Sequence, residues 1–168
     1  MVIIAAALST VSAGLVFIQP DERGVVVSAV QQKGYRDIAL EPGLHWVIPF
    51  AENVRLYSIS RQTYTMSVAP LEGDVQGDDS IRARTKDGQE VFIDASVIYS
   101  IDPIQVVSLH INWQDRYQDE VIRPLARGII RDMVSQYGVE EIVSSKRGEL
   151  EEKVTREMEI KLSQNELV

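Results

Sequence analysis

The sequence predicts an α+β chain in which antiparallel-rich strands come first and two helices follow, all behind an N-terminal transmembrane helix. Three observations carry that prediction. An uncharged apolar run opens the chain, from Val2 to Ile18. From Gly24 to Ile101, Gly and Pro turns divide the chain into strand-favouring stretches, the last of which alternates apolar and polar residues. After Asp102-Pro103 the apolar residues recur at three-to-four spacing, the period of helices that lay one stripe against a sheet.

The run from Val2 to Ile18 spans roughly 25 Å as a helix, at the short edge of what crosses a hydrocarbon core of about 30 Å. Val2, Ile3, Ile4, Leu8, Val11, Leu15, Val16, Phe17 and Ile18 make up the anchor, with Ser9, Thr10, Ser12 and Gly14 small enough for a membrane helix. A cleaved signal peptide and a buried core helix are the alternatives; no Lys or Arg precedes the run, as a signal peptide would require. Gln19–Gly24 breaks the helix, so the polar domain begins close to the bilayer surface. With only the terminal amine on one flank, the balance of Lys and Arg leaves the side of the membrane undetermined.

Gly24–Gln31 (GVVVSAVQ) is β-rich and Lys33-Gly34 is a turn, giving a first hairpin. Glu41-Pro42-Gly43-Leu44-His45-Trp46-Val47-Ile48-Pro49-Phe50 is a turn, a strand and a stop. Pro42 presets φ, Gly43 can take φ > 0, Leu44–Ile48 suit a buried strand, and Pro49 cannot donate to its ladder. Asn53–Val68 reads as one long or bent strand, and Leu71–Asp79 (LEGDVQGDD) as an acidic surface loop. Thr85-Lys86-Asp87-Gly88 signals a hairpin turn. In the strand that follows, Val91, Ile93, Ala95, Val97, Tyr99 and Ile101 share one face, and Phe92, Asp94, Ser96, Ile98 and Ser100 the other.

Tyr117, Val121, Ile122, Leu125, Ala126, Ile129, Ile130, Met133, Val134 and Tyr137 define a helix packed along one stripe. Pro124 removes a backbone donor inside it, which predicts a kink near Asp119 and Glu120. Gly138 suits its C-terminal cap. Ser144 or Ser145 can cap a second helix through Leu150, Val154, Met158 and Leu162, ending near Asn165.

A chain of 168 residues, 45% hydrophobic and 25% charged, can bury one core or two small lobes. Its net charge of −8 argues against a nucleic-acid partner and offers little attraction to anionic lipid, so membrane attachment must be hydrophobic. The absence of cysteine removes disulfides, thiolate metal sites and Cys nucleophiles together.

Candidate chemistry is sparse. His45 and His110 are the only histidines, and neither pairs with a His or carboxylate at metal-ligand spacing. His45 reads as packing or as a donor to backbone. Asp78/Asp79, Glu140/Glu141 and Glu151/Glu152 are sequence neighbours that point apart rather than converge on a substrate. Asp94 sits mid-strand among apolar residues; it is either solvent-exposed or paired with Arg82 or Arg84, or else buried with a raised pKa. No nucleophile elbow, Walker loop or dinucleotide fingerprint is present, so no catalytic, cofactor-binding or metal-binding residue is assigned and the chain reads as a non-enzyme. Arg123, Arg127 and Arg131 repeat every four residues and form a basic stripe, either a solvated face or a subunit contact.

The order of "ERGVV", "EPGLHWVIPF", "TKDG" before an alternating strand, "DP" after it, and a closing "VEEIVSSKRGELEE" resembles the SPFH or Band 7 family of stomatins, prohibitins and flotillins. "EVIRPLARGIIRDMV" is most similar to its prohibitin-like branch. The resemblance makes Glu41, Pro42, Gly43, Leu44, His45, Trp46, Pro49 and Phe50 a structural family motif. It implies a transmembrane anchor over 1–19, a strand-rich SPFH subdomain over 20–101 and the helical part of a second subdomain over 102–168. Leu71–Asp79 looks like an insertion, and the family would add a last strand and a coiled coil beyond Val168, so the chain reads as an excerpt. The implied function is a single-pass scaffold of the bacterial inner membrane that oligomerises with itself into a ring or cage, organises a lipid microdomain and regulates a membrane AAA protease. The alternative is a monomeric secreted or periplasmic binding module made after signal cleavage.

Overall fold

The computed structural model describes residues 14–168. Val2, Ile3, Ile4, Leu8 and Val11 of the expected anchor lie outside the described residues. The strands are β1 Leu15–Ile18, β2 Glu22–Ser28, β3 Gly43–Trp46, β4 Glu52–Ser58, β5 Gln62–Met66, β6 Ile81–Arg84, β7 Glu90–Ile93 and β8 Ala95–Tyr99. Then come α1 Val106–Asn112, a 3₁₀ turn Gln114–Arg116, a π turn Gln118–Ile122, α2 Arg123–Val134, a second π turn Glu141–Ser145 and α3 Arg147–Ser163. The strands pair antiparallel in twos, β1 with β3, β2 with β4, β5 with β8 and β6 with β7. Strands before helices is the α+β order expected.

The chain forms two compact units, and they interleave. One joins the described residues up to Ser60 to Ser100–Asn112; the other joins Arg61–Tyr99 to Trp113–Val168. The contacts therefore do not divide at 101/102, where the change of hydrophobic period falls.

In the first unit the long ladder runs from Glu22 opposite Ser58 to Ser28 opposite Glu52, and Val25 and Val26 are buried in it. Helix α1 packs on β2 and buries Val106 and Leu109. Gly24 is required for close approach, because a Cβ there would come within 2.6 Å of Ile18 Cδ1 and 2.9 Å of Val54 Cγ1. The expected helix through Ile18 is corrected here: Leu15, Val16, Phe17 and Ile18 are strand β1, with Ile18 buried. Val16 and Phe17 suit a half-buried pleat, and β3 supplies the ladder that a helix would have made internally. Among the described residues no helix is long and apolar enough to cross a membrane.

In the second unit α2 packs on β6 and α3, burying Ile81, Ala83, Ala126, Ile129, Ile130 and Val134. Asn53–Val68 is not one strand; β4 and β5 are separated at Ile59–Arg61 and belong to different units. The alternation from Val91 to Tyr99 holds, but the strand breaks at Asp94. The carboxylate there accepts the Val68 N–H at 2.9 Å and the Ser67 hydroxyl at 3.3 Å, so its partners are these and not Arg82 or Arg84. Upstream of Pro124, where Glu120 loses its intrahelical donor, the backbone widens into the π turn rather than continuing as one α-helix. Neither Ser144 nor Ser145 caps α3; Lys146 precedes it without a side-chain cap, and Ser144 Oγ donates back to Glu140 O at 2.6 Å.

Candidate functional site

The ribbon of β1 and β3 carries the first candidate surface. Leu15 faces Trp46 and Phe17 faces Leu44 across the ladder, which puts all four on one side of the pleat. That side is open: Leu15 and Trp46 are 48% exposed, Phe17 64% and Leu44 66%. Leu44–Ile48 was expected to be a buried strand; instead only Val47 is buried, and its N–H donates to Gly14 O at 2.8 Å. Four large apolar side chains exposed side by side make this face a candidate for contact with lipid or another protein.

Beyond Trp46 the motif turns. Phe50 adopts a left-handed φ of 65° and is fully exposed. Glu52 closes the turn, since its buried carboxylate accepts the Ile48 N–H at 2.9 Å, the Ser28 hydroxyl at 3.0 Å, and two donors of Arg36 at 3.0 and 2.5 Å. Burial opposes the charge on Glu52, but the bonds from Arg36, Ile48 and Ser28 outweigh it and hold the carboxyl below its usual range. At the other end of the motif Gly43 takes φ 128°, a conformation its missing Cβ leaves open. His45 Nε2 lies 2.7 Å from Glu41 O and donates to it, because a carbonyl can only accept.

The second candidate surface lies on α2, in the other unit. Arg123 and Arg127 both donate to Oδ1 of Asp79, Arg127 at 2.5 Å, and Arg127 also donates to the Asp79 carbonyl at 2.8 Å. Asp79 is 2% exposed. Arg131 Nε donates to Arg82 O at 2.9 Å. The stripe is therefore held against its own β6 side rather than spread freely in solvent, and it lines a groove of about 390 Å³ with Asp119, Pro124 and Gly128. Asp79 Oδ2, Arg123 Nε and Arg127 Nε are buried without a hydrogen-bond partner.

Sequence spacing found the arginines, the motif and the apolar run. It does not single out Asp79 from its neighbour Asp78, nor Glu52, for which no local signal exists. The two histidines lie apart in role: His110 Nδ1 meets Tyr57 OH at 2.6 Å. Among the described residues no group of acidic or histidine side chains converges to hold a metal ion.

An antiparallel strand module followed by helices, carrying a Pro-Gly motif on an open apolar ribbon, defines the class to which the comparisons point. The family model described as "SPFH domain / Band 7 family" matches residues 16–167, and the chain belongs to that family. Among curated relatives it is similar to Protein HflC of Buchnera aphidicola subsp. Schizaphis graminum (strain Sg), 27% identical over 145 residues. The match covers 83% of this chain and 43% of that relative, so the chain spans less than half its length.

Proposed function

We propose that this chain is the membrane-facing part of an SPFH scaffold whose copies assemble side by side into a ring or cage, organising a membrane microdomain and regulating a membrane AAA protease. The observation that carries the proposal is the open face of Leu15, Phe17, Leu44 and Trp46, which directly follows the apolar run of residues 2–13. Four large side chains on one pleat, with the exposed Phe50 turn after them, suit the interfacial zone of a bilayer, where a Trp ring settles at headgroup level. With a net charge of −8, this contact is hydrophobic rather than electrostatic.

Assembly follows from attachment. Anchoring confines copies to two dimensions and raises their local concentration, so that weak lateral contacts add up to a stable ring. Family membership and the similarity to HflC support the reading. The test is extraction of the intact protein from membranes in mild detergent, followed by sizing and negative-stain imaging. Carbonate-resistant membrane association and ring-shaped particles of megadalton size are expected. A water-soluble, solitary protein would overturn the proposal.

A further inference from the structure

The groove along α2 has a charge imbalance. Arg123, Arg127 and Arg131 line it with Asp119 as the one acid among the described lining residues, while Arg123 and Arg127 share one carboxylate oxygen of the buried Asp79. The chain as a whole carries a net charge of −8, so the sign of this lining is opposite to that of the protein. Its wall is accommodating, because Pro124 and Gly128 line it and a Cβ built on Gly128 meets nothing within 4 Å.

The loop before β6 supplies a complementary shape. Asp74 ties the loop down, its N–H donating to Thr65 O at 3.0 Å and its carboxylate accepting the Thr65 N–H at 2.5 Å. Glu72 N–H donates to Ala69 O at 3.1 Å, which closes a turn with Leu71 at its tip. Leu71 is 94% exposed, so the copy that carries it provides no seat for it. The tip is thus a preformed apolar and acidic knob.

We infer that the groove receives the loop tip Ala69–Gly73 of a second copy, with Glu72 against Arg131 and Leu71 against the Pro124–Gly128 wall; this rests on the self-assembly proposed above. Groove and tip are separate patches, so copies can follow one another head to tail around a ring, the arrangement that the self-assembly proposed above calls for. Opposite charge sets the register of such a contact and suppresses wrong ones.

The test compares the intact detergent-extracted protein with Glu72→Arg, Arg131→Glu and the double variant, by sedimentation velocity across a concentration series. Each single variant sets like charges against each other, and half-assembly is expected to need about tenfold more protein. The double variant restores opposite charges and is expected to recover wild-type assembly. Both positions are exposed, and circular dichroism melting checks that each variant folds; Leu71→Asp serves as an independent disruption of the same knob. If the single variants assemble like wild type, as they would were an acidic foreign protein the occupant, the inference is wrong. It is equally wrong if the double variant is no better than the singles. If the wild type itself sediments as a monomer, the assembly reading falls, and the inference with it.

Discussion

Arg36 grips Glu52 at the base of the turn that presents Phe50, Nε reaching Oε1 at 3.0 Å and Nη2 reaching Oε2 at 2.5 Å. The pair joins the loop after β2 to the start of β4. Since the Glu52 side chain is 1% exposed, Glu52→Ala strands a guanidinium and frees the Ile48 N–H, at an expected cost of about 2–3 kcal/mol in urea unfolding. The pH dependence has a definite sign. A carboxyl held below its ordinary value of 4.5 contributes stability above that pH, and loses it as pH falls through the folded value. Wild type is therefore expected to lose more stability than Glu52→Gln on acidification below pH 4.5, measured by thermal melts; parallel curves would contradict the assignment.

The open ribbon makes a prediction that separates folding from attachment. Phe17→Ser with Leu44→Ser removes two exposed side chains, so unfolding free energy is expected to stay within about 0.5 kcal/mol per site. Contact with lipid is expected to suffer strongly, by about hundredfold for two apolar side chains at about 1.5 kcal/mol each. In a Trp113→Phe background Trp46 reports directly, and brominated lipids quench it in wild type but not in the double Ser variant.

Phe50 adopts a backbone conformation that disfavours any residue with a Cβ. Phe50→Gly relieves a left-handed conformation worth about 1 kcal/mol, so the variant is expected to melt higher while binding vesicles less well. A variant that is both less stable and equally well bound would show that the turn is held for packing alone.

Tyr99 gives a second titration, at the alkaline end. Burial pushes its hydroxyl up to about 12, despite the opposing bond from Gln118, and its own O–H donates to Gln62 at 3.0 Å. An acid whose folded pKa is raised stabilises the fold below its unfolded pKa of about 10. That stability is lost as pH rises from there toward 12. Phenolate absorbance should show a late-titrating group, because burial also raises Tyr64 and Tyr117; Tyr99→Phe should remove one tyrosine from it and flatten the alkaline stability loss.

Much of this was legible in the chain because periodicity is a local signal. Tyr117–Tyr137 showed its buried stripe, Thr85–Gly88 its turn, and Gly43 its positive φ. The failures share a cause. Leu15–Ile18 is apolar enough for a helix or a strand, and only the distant residues Gly43–Trp46 decide for a strand. Leu44 and Trp46 read as core because composition cannot tell a core face from an exposed apolar one. Asp79 was hidden because its partners Arg123 and Arg127 lie more than forty residues on, and α1 was missed because seven residues give little periodicity. The arginine stripe was visible at its correct spacing, but not that β6 and Asp79 would hold it.

The interleaving of the two units bears on how the protein is made. The first unit needs α1, so it cannot close until Asn112 has left the ribosome, after every strand of the second unit has already emerged. For that interval Tyr64, Met66, Ile81 and Tyr99 wait without the helices of their own unit, exposing adhesive surface in the nascent chain. Nor does any single cut release either unit alone, so an expression fragment ending at residue 112 would carry one complete unit together with the strands of the other.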